Sequence, residues 1–236
     1  FMKVNRIAYL VTRRFYKVPW LFHQIKLAGK ENKYTIDERY KKVHDVCHRV
    51  NKYAHVNITC TGLENLPKEN GYILTPNHQG LFDVLLICDT HERPTSFVIR
   101  KDLEDVILLK QVIKALDAKA LDRDDPRQAM KIIKEMTEGI KQGRNYIIFP
   151  EGTRIKEPGF GKAKAGLSLF AIKGKAQVVP ISIISNYKLF NRVTIFIDKP
   201  ISFEEYYKQK LTSEENERLS QNVLEVIKEN YYIHSK

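Results

Sequence analysis

The sequence predicts an α/β protein: a mixed sheet flanked by helices on both faces, with an N-terminal amphipathic helical segment suited to membrane binding. Three observations carry that expectation. From about residue 56 onward, short strand-like runs alternate with stretches of helical spacing, as they do where helices cover a sheet on both faces. Before residue 55 the patterns are helical only. The chain has 236 residues, 43% of them apolar, enough for one large domain with a real core. The expected division is therefore 1–55, a helical membrane-associating segment, and 56–236, the α/β body.

The elements follow in order. Phe1, ahead of Met2, reads as an added residue and is set aside. The first thirty residues hold Lys3, Arg6, Arg13, Arg14, Lys17, Lys26 and Lys30 but no acid. Val4, Ile7, Ala8, Val11, Phe15, Val18 and Phe22 share one helical face. Pro19 is expected to break or kink that helix, with Trp20, Leu21 and Ile25 continuing the apolar character. A basic amphipathic helix bearing Trp and Phe suits a membrane interface; the plainer reading is a helix packed on the domain. Arg13, Arg14 and Lys17 interrupt the apolar run, so neither a spanning helix, which needs roughly 20 apolar residues, nor an ordinary signal peptide is expected.

Helical spacing returns over 37–54. Strands are then expected at 56–61 and 71–75, a helix at 81–88, a strand at 96–100 and a helix at 103–116. A short strand follows at 119–121. Asp125-Pro126 reads as a helix start, with proline in the first turn, and that helix runs to about residue 141. The strand at 145–149 ends on Pro150, a helix covers 167–172, strands cover 178–185 and 193–198, and the C-terminus is helical from Ser213.

The formal net charge is +12. It favours polyanionic partners such as nucleic acid, anionic membrane, phosphorylated substrates or an acidic carrier protein, and says little about fold. Cys47, Cys60 and Cys88 are scattered and frame no disulfide set, which suits a reducing compartment.

Two stretches carry chemistry. In T-P-N-H-Q-G-L-F-D, residues 75–83, a strand is expected to end at Thr75 and a helix to start near Leu81. His78 then lies in the loop at the carboxyl edge of the sheet, where α/β proteins place their sites. Asp83, one turn into the helix, can accept from one imidazole nitrogen and leave the other as a base. No serine or cysteine stands nearby, so the nucleophile would belong to the substrate. In Y-I-I-F-P-E-G-T-R, residues 146–154, an apolar strand delivers Glu151, Gly152, Thr153 and Arg154 into a loop. Arg154 can fork onto phosphate or carboxylate, and Gly152 permits close backbone approach. Glu151 could position Arg154 or bind a substrate hydroxyl.

Taken together and in this order, N-H-x-x-x-x-D and F-P-E-G-T-R resemble the motifs of the glycerolipid acyltransferases, the lysophosphatidic-acid acyltransferases and their relatives. I-R-K-D-L, residues 99–103, is similar to the family's basic K-x-E-L segment, with Arg100 at the usual lysine and Lys101 beside it. A-L-D-R, ending in Arg123, resembles a segment whose arginine helps bind the acceptor phosphate. Lys164-Ala165-Gly166 resembles the K-x-G that follows E-G-T-R, and V-P-I, with Pro180, resembles the fourth motif. The resemblance spans about residues 55–200. The P-x-x-G usual between Leu103 and Leu121 is missing, which leaves that region's contacts, including an acyl tunnel, without a counterpart.

The resemblance implies a peripheral membrane enzyme on the cytoplasmic face of the cell membrane. It would move a fatty acyl group from an acyl thioester, on acyl-carrier protein or coenzyme A, to 1-acylglycerol 3-phosphate, forming phosphatidate. His78 and Asp83 would be catalytic, and Arg123 and Arg154 would hold the acceptor phosphate. A backbone N–H near Arg100 or Lys101 would serve the oxyanion. No metal, no other cofactor and no nucleic acid are expected. The alternatives are transfer to glycerol 3-phosphate or another lysophospholipid, or a non-catalytic basic module binding membrane or nucleic acid. H-D-V-C-H, residues 44–48, differs from the zinc-protease pattern by its shorter acid and lacks a third ligand. G-F-G-K-A, residues 159–163, lacks the residues a phosphate loop needs, with Lys156 and Ala163 at the required glycine and hydroxyl positions.

Overall fold

The computed structural model describes residues 15–80, 82–101, 104, 107–122, 125–153, 155, 159–185 and 192–235. A single-turn 3-10 helix (Phe15–Lys17) leads into α1 (Val18–Ala28). Pro19 lies in the first turn of α1; residues 1–14 of the helix it was expected to break or kink lie outside the described residues. The first-turn N–H groups have no intrahelical partner, so proline loses nothing there and its fixed φ suits the helix. Next comes α2 (Ile36–Tyr53), opened by a capping box in which Glu38 N donates to Thr35 Oγ1 at 3.3 Å and Thr35 N donates to Glu38 Oε2 at 2.8 Å.

The remaining elements are β1 (Asn57–Thr61), β2 (Ile73–Pro76), α3 (Phe82–Thr90), β3 (Thr95–Arg100), α4 (Ile107–Leu116), β4 (Lys119–Leu121), α5 (Pro126–Lys141), β5 (Asn145–Ile147), α6 (Gly166–Gly174), β6 (Val178–Ile184), β7 (Arg192–Ile197) and α7 (Ser213–His234). Asp125 caps α5 through the N–H groups of Arg127 and Gln128. Thr212 and Glu215 form a second capping box at the start of α7.

The seven strands form one sheet in the order β1-β7-β6-β2-β5-β3-β4. All neighbours are parallel except β6 and β7, which pair antiparallel from Ile181–Ile197 to Ile184–Thr194. The sheet is thus mixed, as expected. Adjacent residues on its central strands enter opposite cores, following the two-residue period of a strand. Leu74, Ile147 and Val179 join Ala28, Tyr40, Val43, Cys47, Leu86 and Leu116 from α1–α4. Ile73, Tyr146 and Val178 join Met136, Leu167, Ala171, Leu219 and Ile227 from α5–α7. Helices α1 and α2 therefore supply buried side chains to the same core as the sheet. No helix among the described residues is long and apolar enough to cross a membrane.

Pro180 sits buried inside β6, paired with Thr75 of β2. A proline usually disrupts a central strand because it offers no N–H. Here it precedes the first β6–β7 pair, Ile181–Ile197, and its carbonyl accepts from Asp198 N at 3.0 Å. The missing donor therefore falls just outside the antiparallel ladder.

Candidate active site

The site begins where two neighbouring parallel strands end. β2 and β5 pair as Ile73–Tyr146 and Leu74–Ile147. Continuing that register sets His78 level with Glu151. One backbone bond and one side-chain bond extend the pairing past the end of β5. Ile148 N donates to Leu74 O at 3.0 Å, and Thr75 Oγ1 donates to Ile148 O at 2.9 Å. On the other flank Asn77 imitates a strand residue. Its Oδ1 accepts from Ile183 N at 2.7 Å and its Nδ2 donates to Ile183 O at 3.1 Å. With Asn77 buried, the residue ahead of the histidine is fixed to β6.

His78 and Asp83 meet. Nδ1 of His78 is 2.9 Å from Oδ2 of Asp83. The same oxygen accepts from Gln79 N at 2.8 Å and Gly80 N at 2.9 Å. The loop between strand and helix is thus folded back over the first turn of α3, around a carboxylate with no exposed surface. A buried carboxylate is costly unless donors surround it, and three converge on this one oxygen. An ionised carboxylate offers only lone pairs, so Nδ1 carries the ring proton and Nε2 keeps the basic lone pair. The imidazole is 16% exposed and lies stacked on Phe149, ring centres 3.9 Å apart and planes 29° from parallel. Packing below and a hydrogen bond at one edge leave the ring few orientations.

Glu151 faces inward, 2% exposed. Oε2 accepts from His78 N at 3.2 Å and Oε1 accepts from Gly161 N at 2.9 Å. Burial pushes its carboxyl above the ordinary value, against the opposing pull of those two N–H groups and of His78. The carboxylate clasps the histidine loop to the start of the 161–165 segment. Ile155 N donates to His78 O at 2.9 Å, and Lys164 N to Pro150 O at 2.8 Å.

The other expected site residues fall as follows. Gly152 turns the chain with φ 65°, a left-handed conformation that favours glycine, and donates to Phe149 O at 3.1 Å. Thr153 is exposed. Arg100 ends β3 on the exposed side; continuing the Phe97–Ile147 register sets it level with Pro150. Lys101 Nζ lies 3.7 Å from Asp122 Oδ2. Arg123 and Arg154 lie outside the described residues.

Three contributors escaped the sequence reading. Asn77 carried a signal only as the polar neighbour of the histidine, Phe149 was read as strand core, and the Gly161 amide has no signature in sequence. Another histidine shows what a purely structural role looks like. His91 is buried, with Nε2 2.6 Å from the Tyr72 hydroxyl and Nδ1 3.0 Å from Thr95 Oγ1. Burial lowers its pKa to about 4, so at neutral pH it carries no charge.

The family model with the description Acyltransferase matches residues 57–184. Among curated proteins, the "Probable 1-acyl-sn-glycerol-3-phosphate acyltransferase" of Mycoplasma pneumoniae is 27% identical over 158 residues, 65% of this chain and 59% of that protein. The "1-acyl-sn-glycerol-3-phosphate acyltransferase" of Pseudomonas aeruginosa is 32% identical over 130 residues, 55% of this chain and 50% of that one. The chain spans about half the length of the curated relatives it matches. A crystal structure of "the 1-acyl-sn-glycerophosphate (LPA) acyltransferase, PlsC, from Thermotoga maritima" superposes with a TM-score of 0.71 at 22% identity. That alignment covers 95% of this chain and 91% of the other, a likeness of fold.

Proposed function

The chain belongs to the Acyltransferase family, and on that premise we propose that it moves a fatty acyl group from a thioester to 1-acylglycerol 3-phosphate, forming phosphatidate. The names of its relatives support the choice of acceptor. The observation that carries the chemistry is the 2.9 Å contact between His78 Nδ1 and Asp83 Oδ2, which makes Nε2 the basic atom of an oriented imidazole.

A lipid hydroxyl is a poor nucleophile until its proton is taken. In the proposed reaction His78 Nε2 takes that proton as the hydroxyl oxygen attacks the thioester carbonyl carbon. Asp83 holds the ring in place and stabilises the imidazolium that forms. The tetrahedral intermediate collapses by breaking the C–S bond, and Nε2 returns the proton to the departing sulfur. Atoms balance without a covalent enzyme intermediate. Such base catalysis contributes about 10²–10⁴-fold. Arg123 and Arg154 are assigned to the acceptor phosphate on the strength of guanidinium chemistry. Holding both reactants supplies the positional advantage a bimolecular transfer otherwise lacks. Backbone N–H groups near Arg100 and Lys101 are assigned to the oxyanion, since the end of β3 lies beside the end of β5.

Working at a membrane surface belongs to the same reading, at the cytoplasmic face, with the basic N-terminal segment as the contact and acyl-carrier protein or coenzyme A as donor. The net charge of +12 supports an anionic surface and an acidic or phosphorylated donor. The test is thiol release by purified protein with lysophosphatidate and each donor in turn, with glycerol 3-phosphate as rival acceptor. Release that depends on lysophosphatidate and disappears in His78→Ala, with vesicle binding retained, is the expected result. No release from any pairing would leave a binding module in place of an enzyme.

A further inference from the structure

The second half of α7 is fixed to the sheet. Ser182 Oγ donates to Ile227 O at 2.7 Å, and Asn230 Nδ2 donates to Asp198 Oδ2 at 2.6 Å. The His234 ring stacks on Phe196, centres 4.1 Å apart. From this platform α7 reaches the 160–163 segment twice. Gln221 Oε1 accepts from Ala163 N at 2.9 Å, while its Nε2 donates to Glu225 Oε1 at 2.8 Å and so keeps the amide turned the right way. Near the end of the helix, the Tyr231 ring meets Phe160 edge to face, centres 5.3 Å apart and planes at 85°, the favoured geometry of an aromatic pair. Tyr232 lies 6.1 Å from the same ring.

Gly161 stands between these two holds. Its N–H donates to Glu151 Oε1 at 2.9 Å, and Oε2 of the same carboxylate accepts from His78 N at 3.2 Å. A methyl group at Gly161 would stand 2.7 Å from Ile155 Cδ1 and 3.8 Å from Glu151 Cγ. The side chains of both residues that hold the histidine backbone, Glu151 at its N and Ile155 at its O, therefore pack on this one glycine. A hydrogen bond weakens steeply once its distance and angle are lost. A displaced 160–163 segment would leave the buried Glu151 carboxylate short of a donor, at a cost of that donor's bond and of its grip on the histidine loop.

We propose that the C-terminal helix positions the catalytic base: Tyr231, packed edge-on against Phe160, and Gln221, bonded to Ala163, hold the segment whose Gly161 amide keeps Glu151 on the backbone of His78. Tyr231 and Gln221 touch neither the imidazole nor the reactants; they are positioning residues that act through Phe160, Gly161 and Glu151. The catalytic consequence rests on the acyl-transfer reading above, whereas the chain of contacts does not.

The test compares Tyr231→Ala, Phe160→Ala and Tyr231→Phe in the full-length protein by thiol release. Amide exchange at Gly161 is followed by NMR in the same variants. Tyr231→Ala removes the closer ring contact and should lower kcat about threefold to tenfold. Phe160→Ala removes both and should lower it about tenfold or more. KM for lysophosphatidate should change by less than about twofold in each, because the base and not the acceptor is displaced. Tyr231→Phe keeps the ring and should restore the wild-type rate. Exchange at Gly161 should quicken in the two alanine variants only. Combining Tyr231→Ala with Glu151→Gln should cost little beyond Glu151→Gln alone, since both act through one clasp.

Losses that add in full in that double variant, or a lowered melting temperature with kcat at the wild-type value, would overturn the positioning role alone. Unchanged exchange at Gly161 in Tyr231→Ala would overturn the chain of contacts. Quickened exchange together with no thiol release from wild type would uphold the contacts and overturn the acyl-transfer reading.

Discussion

Replacing Asp83 by asparagine separates two things a carboxylate can do for a histidine. The backbone N–H groups of Gln79 and Gly80, at 2.8 and 2.9 Å, select an oxygen at the position of Oδ2. In Asp83→Asn the amide oxygen will take that place and continue to accept from His78 Nδ1, so ring orientation and tautomer survive. What is lost is the negative charge 2.9 Å from the ring. At an effective dielectric of about 20, unit charges at that separation attract by about 6 kcal/mol, an upper limit. The imidazole is 16% exposed, so water screens part of this. About half of it would be ~3 kcal/mol, or roughly 10²-fold in rate. The expected result is a kcat lowered by about 10²–10⁴-fold with KM for lysophosphatidate little changed, measured by thiol release. The melting temperature should move by no more than a few degrees, because all three hydrogen bonds persist. A variant within fivefold of wild type, alongside an inactive His78→Ala, would refute the reasoning and reduce Asp83 to a staple for the loop.

Further expectations follow from the same contacts. Glu151→Gln cannot accept from both His78 N and Gly161 N, so the histidine loop should loosen and acyl transfer fall by about 10- to 10²-fold. Burial raises the Glu151 carboxyl above 4.5 in the folded protein. Folding therefore favours its protonated form, and this group adds stability at low pH that is lost as pH rises through the raised value. Thermal unfolding of wild type measured against Glu151→Gln should show wild type losing ground as pH rises from below 4.5 toward neutral; a flat difference would contradict the burial effect. Asn77→Ala strands the N–H and carbonyl of Ile183. It should cost about 2–4 kcal/mol in denaturant unfolding, at roughly 1–2 kcal/mol for each buried group. Phe149→Ala removes the ring under His78 and should lower kcat more than it raises KM.

The strand–helix alternation was readable because each element repeats a period: two for β2, where Ile73 and Leu74 enter opposite cores, and about four for α5, where Ile132, Met136 and Ile140 line one face. Starts with explicit chemistry, such as Asp125-Pro126, were placed to the residue. Pro19 stands in the first turn of α1, where proline suits a helix start, a position that residue type alone does not reveal. The strand at 145–149 was drawn too long. The regular pairing of β5 ends at Ile147, and Ile148 continues it only through single bonds to Leu74 and Thr75. Within the site, the His78–Asp83 contact was legible because its partners are five residues apart and a single loop decides whether they meet. The inward turn of Glu151 was not, since its partners are backbone groups at His78 and Gly161, and one of them lies 73 residues away. No local pattern encodes a bond to an amide in a distant loop.

That clasp also determines which part of the molecule can change safely. Glu151 and Gly161 close the ends of a nine-residue excursion, and the histidine backbone is held at both groups: His78 N by the closure and His78 O by Ile155 N of the excursion. A change of length or sequence within 152–160, in evolution or in the laboratory, therefore has to keep the bond from Ile155 N to His78 O if the base is to stay where it is.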